Sequence, residues 1–503
     1  KELLLHPDRL GELAQALSIP QDVLTRRVSE RADKEFVYLK RHLNPDIAET
    51  ITELGIPGVY AQREFRRFYP HGEVMAHVLG FTNIDDIGQE GLELAFNDWL
   101  TGKEGKQRVI RDRRGRIVEN VDLVEAAEPG KDLALSIDRR IQYLAYRELK
   151  AALVETGATS GSVVVLDVPT GEVLAMVNQP SYNPNSRVGA DADSRRNRAV
   201  TDVVEPGSVM KTLTFAAALE SGKFTPETPI ETAPGYMTLA GGHQIRDFRN
   251  YGTLTLTGVL TKSSNLGATL VAQQLSNEHQ FDTYHRFGLG QVTGSGFPGE
   301  SSGVLRGPNV WGPAEKATIS YGYGLSVTPL QIARAYSALG NGGRLVTPTF
   351  VKGQRSEAPQ VLDPAIASEV VGMMETVVTQ GGAKRAGVLG YRVAGKTGTA
   401  RIASGGGYAK GRYASFFAGL VPASNPRFAA VVVITDSQEG GYYGGLVAAR
   451  RFRTEVTPNG ADIEPVVAAF GDALSQIGAD IVGWSLVEGQ KSLSQPAEES
   501  AGK

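Results

Sequence analysis

Glu205-Pro206-Gly207-Ser208-Val209-Met210-Lys211 reads as a turn running into a helix whose later apolar positions include Leu213, Ala216, Ala217 and Leu219. Ser208 falls at the helix start. Three residues make almost one helical turn, so Lys211 shares its face and can bring an amine to the hydroxyl. A serine hydroxyl attacks poorly unless a neighbour accepts its proton, and a lysine serves only if desolvation or a second cation lowers its pKa. The helix N-terminus adds a field that favours developing negative charge. The four-residue spacing is weak alone, since Ser500 to Lys503 also satisfies it at the end of the chain.

Two more polar stretches follow. Lys262-Ser263-Ser264-Asn265 lies between the apolar run Leu254 to Leu260 and the next expected helix. Its plain reading is a helix cap, for which Ser and Asn are favoured. Its chemical reading makes Ser263 a hydroxyl relay and Asn265 an amide that holds a lysine and a substrate carbonyl; the same Ser-x-Asn pattern recurs at Ser181 to Asn183. Lys396-Thr397-Gly398-Thr399 is expected to end a strand over Tyr391 to Ala394, where Gly398 lets a ligand backbone approach closely. Two hydroxyls and an ammonium would then face a carboxylate; the plain alternative is a solvated lysine at an exposed strand end. Order and spacing carry the information that no single piece does: Ser-x-x-Lys, Ser-x-Asn 55 residues later, and Lys-Thr-Gly-Thr 133 residues past Ser263.

The chain around these pieces has 503 residues, 41% of them hydrophobic, which is long for one domain and sufficient for two cores. Residues 1–157 read as an α+β unit. It has helical spacing at Leu10 to Leu17 and Leu92 to Leu100, strand-like text around Val109 to Val118, and a last helix from Ile137 to Leu153. Residues 158–457 form the second domain. Val163 to Asp167 and Glu172 to Val177 read as strands flanking the turn Pro169-Thr170-Gly171. Helices are expected at Val209 to Glu220, Leu266 to Leu275, Pro329 to Leu339 and Pro364 to Thr379, and strands return at Ala414 to Leu420 and Ala429 to Thr435. The class is α/β (α+β), with a sheet opened early and closed by late strands. Residues 458–503 read as a divergent tail, polar and small from Ser492 onward.

Composition removes several functions. Fifty-two Lys and Arg against 55 Asp and Glu, a net charge of -3, leave no footprint for nucleic acid. Without cysteine there is no disulfide, thiolate metal site or cysteine nucleophile, and the seven histidines form no HExxH pair, so no metal and no cofactor is implied. The longest apolar runs, such as Phe428 to Ile434, fall short of the roughly 18 residues a membrane span requires. The glycines from Gly288 to Gly299 lack both nucleotide-loop spacings and read as a loop.

The motif set, with the phrases NRAVTDVVEPGSVMK, LTGVLTKSSNLG, SYGYGLSVTPLQIARAYSALGNGG, VAGKTGTAR and YYGGLVAA, resembles the transpeptidase domain of class B penicillin-binding proteins, in particular those of division. YPHGEVMAHVLGFTN, GQEGLE and LALSIDRRIQ resemble the family's pedestal, a dimerisation or partner domain. The resemblance implies a serine β-lactamase-like fold, an antiparallel sheet flanked by helices. It implies that Ser208 is acylated, Lys211 accepts its proton, Ser263 relays, and Asn265 anchors the substrate amide. Lys396, Thr397, Gly398 and Thr399 would hold the terminal carboxylate, the backbone amides of Ser208 and Thr399 would form the oxyanion hole, and Tyr443 and Tyr408 would wall the cleft.

The partners implied are a stem pentapeptide ending in D-Ala-D-Ala, an acceptor stem amine, β-lactams, and divisome proteins including a membrane glycosyltransferase polymerase. The resemblance also implies a membrane helix ahead of Lys1, which would place this part on the periplasmic face of the bacterial inner membrane at the division site. After Ala449, Arg450-Arg451-Phe452-Arg453 departs from the family pattern. A β-lactamase or D,D-carboxypeptidase would show the same three motifs with water as acceptor, although no deacylating glutamate is recognised. A noncatalytic sensor of β-lactam or muropeptide would keep the pocket without the turnover.

Overall fold

The structure, a computed structural model, describes residues 2–111, 117–187, 189–404 and 407–437. They fall into two compact units, one of the described residues up to Pro70 with Ile84–Asp86, the other of His71–Asn83 with the described residues from Ile87 onward.

The smaller unit is helical. Helices α1 (Leu10–Leu17), α2 (Gln21–Ser29) and α3 (Pro45–Glu53) enclose a core of Leu10, Leu13, Leu17, Leu24, Val28, Ile51 and Ile56. These positions recur at the helical period, so each short helix turns one apolar stripe inward. In the larger unit, Met75, Val78 and Leu92 join the main core. The expected helix from Leu92 to Leu100 is broken at Phe96, whose φ of -113° and ψ of 23° separate Gly91–Ala95 from Asn97–Leu100. The strand-like text near Val109 is an antiparallel hairpin of Lys106–Arg111 with Ile117–Glu125.

Helix α4 (Arg139–Thr156) begins where the Asp138 carboxylate accepts the Arg140 and Ile141 N–H groups, and ends at Gly157 in the left-handed region. It packs on β1 (Ser160–Asp167) and β2 (Val173–Gln179). Helices α5 (Lys211–Glu220), α6 (Leu256–Lys262), α7 (Asn265–Gln273), α8 (Pro329–Gly340) and α9 (Pro364–Thr379) follow, then strands β3 (Ala394–Ser404), β4 (Gly407–Val421) and β5 (Phe428–Thr435). The sheet runs β3-β4-β5-β1-β2 and every pairing is antiparallel. Early strands and late strands meet through Val164 opposite Val431 and Val163 opposite Val432.

Gly161 to Asp167 and Phe428 to Ile434 are buried at every position, so both faces of the sheet centre are covered. Runs such as Val163-Val164-Val165-Leu166 suit that site because branched side chains pack well on a pleat. Helix α8 packs on β1, β4 and β5, and its start is fixed by a capping box between Thr328 and Gln331 with Pro329 in the first turn. Helix α5 is buried from Lys211 to Leu219 on all sides, with no polar face left for solvent. Among the described residues no helix is long and apolar enough to cross a membrane.

The strand expected at Tyr391 to Ala394 instead begins at Ala394 and continues to Ser404. Tyr391 closes a turn onto the Val388 carbonyl after Gly390, which has a φ of +81°. Lys396-Thr397-Gly398-Thr399 therefore lies inside β3, at the edge of the sheet, and not at a strand end. Residues 458–503 and Arg450 to Arg453 lie outside the described residues.

Candidate active site

Ser208 sits in a 3-10 turn, Gly207–Met210, which passes into α5 at Lys211. In a 3-10 turn side chains three apart eclipse, so Ser208 and Lys211 align more closely than an α-helix would place them. The turn is held from outside: Gly207 donates its N–H to the Gly322 carbonyl at 3.0 Å, at a φ of +58° that only glycine adopts freely. Because α5 is the central helix, Lys211 is carried into the interior and is 0% exposed.

The Lys211 Nζ has four oxygen neighbours: the Ser263 carbonyl at 2.6 Å, Asn265 Oδ1 at 2.7 Å, Ser208 Oγ at 3.1 Å and Ser263 Oγ at 3.2 Å. Burial drives its pKa well below the usual lysine value, the charge of Lys396 lowers it further, and Asp247 opposes the shift. A neutral amine has two N–H donors and one lone pair. The Ser263 carbonyl and Asn265 Oδ1 are pure acceptors at the shortest distances, so they take the two donors. The lone pair is left for the hydrogen of Ser208 Oγ, the disposition that proton removal from a nucleophile requires.

Ser263 and Ser264 are placed differently. Ser264 is the cap of α7, accepting the Gly267 N–H at 2.7 Å. Ser263 ends α6 in the left-handed region at a φ of 59° and ψ of 38°, a conformation that costs a non-glycine residue roughly 1–2 kcal/mol. That twist directs its carbonyl to Lys211 and its hydroxyl to Lys396 Nζ at 2.9 Å. Asp247 is a residue the motifs did not indicate. It accepts the N–H of Asn265 at 2.6 Å and of Leu266 at 3.0 Å, and also the Ser264 hydroxyl, and so fixes the start of α7. No spacing betrays it, since it comes from a loop between short hairpins.

Lys396 is 1% exposed, donates to Ser263 Oγ and to the Thr397 carbonyl, both at 2.9 Å, and is lowered by burial to about 7. Gly398 faces the turn of the nucleophile: a Cβ there would stand 2.8 Å from the Pro206 carbonyl oxygen and 3.3 Å from the Val209 nitrogen. Real Cβ atoms essentially never come within 3.0 Å of a neighbour, so the missing side chain is what lets β3 and the Ser208 turn lie side by side. An edge strand also has backbone groups unpaired by any neighbouring strand, to which an extended peptide can bind.

Residues 161–456 match the penicillin-binding protein transpeptidase domain, and residues 6–135 the penicillin-binding protein dimerisation domain. The chain is a class B penicillin-binding protein. It is 46% identical over 448 residues to the peptidoglycan D,D-transpeptidase FtsI of Escherichia coli K12, covering 88% of this chain and 75% of that protein. It is 42% identical over 454 residues to the probable peptidoglycan D,D-transpeptidase PbpC of Pseudomonas aeruginosa, covering 90% and 80%. Among solved structures, the transpeptidase domain of Burkholderia pseudomallei penicillin-binding protein 3 aligns with a TM-score of 0.59 and 41% identity over 69% of this chain and 98% of that one. Penicillin-binding protein 3 of Mycobacterium tuberculosis, complexed with aztreonam, aligns with a TM-score of 0.68 and 33% identity over 77% and 88%.

In this penicillin-binding protein Ser208, Lys211, Ser263, Asn265 and Lys396 join in one hydrogen-bonded chain, with Thr397, Gly398 and Thr399 on the strand beside it. Tyr408, on β4, stands edge-on to Tyr323 with ring centroids 6.0 Å apart. Tyr443 lies outside the described residues. Glu205 and Tyr323, both within the quoted phrases, were not singled out from the sequence; neither sits at a spacing that separates it from a structural residue. Among the described residues no group of His, Asp and Glu could hold a metal.

Proposed function

We propose that the chain is a peptidoglycan D,D-transpeptidase that forms peptide cross-links through an acyl-serine intermediate and is acylated at the same serine by β-lactams. The observation that carries this is the Lys211 amine, buried, depressed well below the usual lysine value and 3.1 Å from Ser208 Oγ.

In the first half-reaction Ser208 Oγ attacks the penultimate D-Ala carbonyl of a stem pentapeptide and its proton passes to Lys211 Nζ. The amides of Ser208 and Thr399 receive the oxyanion, a contribution of about 3 kcal/mol per donor in comparable sites. Lys211 then protonates the departing D-Ala nitrogen, directly or through Ser263, whose hydroxyl lies between Lys211 and Lys396. Lys396, Thr397 and Thr399 hold the terminal carboxylate, and Asn265 the substrate amide. In the second half an acceptor amine forms the new amide bond, the ester to Ser208 breaks, and the amine's proton returns to Oγ through Lys211.

The matches to a transpeptidase domain and a dimerisation domain, taken with relatives named peptidoglycan D,D-transpeptidase, support a cell-wall enzyme of division. On the same reading residues 1–157 act as the pedestal and 158–457 as the catalytic domain. The site works at the periplasmic face of the inner membrane alongside a glycosyltransferase polymerase and other divisome proteins.

Intact-mass spectrometry after incubation with benzylpenicillin, with peptide mapping and a time course, tests the assignment. A persistent single adduct on Ser208, absent in Ser208→Ala, is expected. Rapid loss of the adduct with release of hydrolysed drug would indicate a β-lactamase instead.

A further inference from the structure

The small helical unit carries an aromatic surface that its own core does not use. Phe65 is 73% exposed, Phe68 70% and Tyr60 65%; Phe36 and Tyr38 are exposed as well, and none of the five joins the core of α1, α2 and α3. Side-chain contacts tie them together. Phe36 lies against Tyr38 with ring centroids 4.6 Å apart and against Tyr60 at 6.1 Å. The Arg41 guanidinium stands over Tyr38 at 4.7 Å and reaches Glu64 Oε1 at 2.8 Å, and Phe65 and Phe68 follow Glu64 on a stretch, Val59 to Tyr69, that is neither helix nor strand. At about 150–250 Å² for an aromatic side chain, the five rings expose on the order of 500 Å², the size at which a patch marks an interaction surface.

The charges around the rings say what kind of partner fits. Residues 31–41 and 60–70 hold seven Lys and Arg against three Asp and Glu, in a chain whose net charge is -3. Glu64, the one acid of the second stretch, has both oxygens engaged, Oε1 by Arg41 and Oε2 by the His42 N–H at 3.4 Å. Arg63, which stands over the Phe65 ring at 5.3 Å, and Arg66 and Arg67 are exposed, so basic and apolar side chains interleave along Arg63-Glu64-Phe65-Arg66-Arg67-Phe68. Rings without a polar tip suit the edge of a hydrocarbon layer, and guanidinium groups suit phosphate; together they are the make-up of a membrane-interface segment. A sugar chain would need amides and carboxylates for its hydroxyls, and the carboxylate here is already taken.

Resting on the reading that the chain works at a membrane face, we propose that this surface of the helical unit, centred on Phe65 and Phe68, lies on an anionic phospholipid bilayer. The rings enter the boundary between headgroups and acyl chains, and Arg63, Arg66 and Arg67 meet lipid phosphates. The contact is peripheral and reversible, and it keeps the chain in the layer next to the bilayer without acting in acylation.

Co-sedimentation of the full chain with vesicles of phosphatidylethanolamine containing roughly one-third phosphatidylglycerol tests this, with phosphatidylcholine vesicles as the uncharged comparison. Wild type should bind the anionic vesicles at least about tenfold more tightly than the uncharged ones, and rising salt should weaken that binding. Phe65→Ser combined with Phe68→Ser should reduce binding by about tenfold or more, through lost apolar burial in the lipid. Arg63→Gln should reduce it by about fivefold, the scale of one basic residue near an anionic surface. All three side chains are exposed, so melting temperature and benzylpenicillin acylation should match wild type. Phe65→Trp should add an emission that shifts to the blue on anionic vesicles and is quenched by brominated acyl chains. Absence of vesicle binding by wild type, equal binding by the double Phe variant, an unshifted emission at position 65, or tighter binding to purified glycan strands than to vesicles would overturn the proposal. Failure of wild type to form any penicillin adduct would instead remove the transpeptidase reading, an outcome on which the vesicle measurement does not depend.

Discussion

Lys211 and Lys396 reach Ser263 from opposite sides, one from the central helix and one from the edge strand, and both are almost wholly buried. Burial lowers both, the two cations disfavour each other's charge, and Asp247 acts the other way on Lys211. The difference teaches how one fold gives the same side chain two electrostatic settings, which on the proposed reading serve as a base and as an anion receptor. Lys211 has the Ser263 carbonyl and Asn265 Oδ1 as its shortest contacts, at 2.6 and 2.7 Å, and the nucleophile at 3.1 Å. Lys396, with a pKa near 7, is poised to become a full cation when a carboxylate arrives.

The harshest way to break the comparison is Lys211→Met, which removes the base and leaves the anion receptor. Benzylpenicillin acylation measured by stopped flow should fall by about 10²–10⁴-fold, the usual range for a positioned general base. A variant retaining near wild-type rates would show that Lys211 and Lys396 are interchangeable, against the assignment.

Lys396→Met should weaken acylation by about 10–100-fold, mainly through apparent affinity, since a charge-assisted contact to the carboxylate is lost. It also removes the cation that lowers Lys211, so the acidic limb of the pH–rate profile should move to higher pH. Stability should move the other way. The folded pKa of Lys396, about 7, lies below the ordinary 10.5 of an unfolded lysine. The unfolded chain therefore binds more protons between those values, and stability rises with pH across that window. Lys396→Met should gain on the order of a few kcal/mol in urea denaturation at pH 7 and flatten the rise.

Asp247→Asn is the gentlest and the most discriminating change. Removing an anion that raises Lys211 should shift the same acidic limb to lower pH, opposite to Lys396→Met. The loss of charge from a cap with three donors should cost about 1 kcal/mol. Shifts of both variants in one direction would refute the opposing influences assigned to Lys396 and Asp247.

Much of this was legible in the sequence because it is local. Ser208 and Lys211 share one turn, Ser263 and Asn265 one cap, and the valine runs of β1 and β5 read directly as buried strands. The cap lies on Ser264, while the hydroxyl of the adjacent Ser263 stands within hydrogen-bond reach of both lysines, where residue type alone did not separate the two serines. Strand β3 was misplaced because Gly395 and Gly398 lower its strand signal while being what lets the helix turn and Phe417 approach it. Asp247 and Glu205 were not legible: each acts across a chain reversal, on Asn265 and on Gly324, and no periodicity records such a contact.

The edge position of β3 bears on the size of what can be processed. A site enclosed within a barrel or under a closed sheet admits only molecules that fit inside it. A site laid along the rim of a sheet meets its substrate side-on, so a stem tethered to a covalent mesh far larger than the protein can be reached without detaching it.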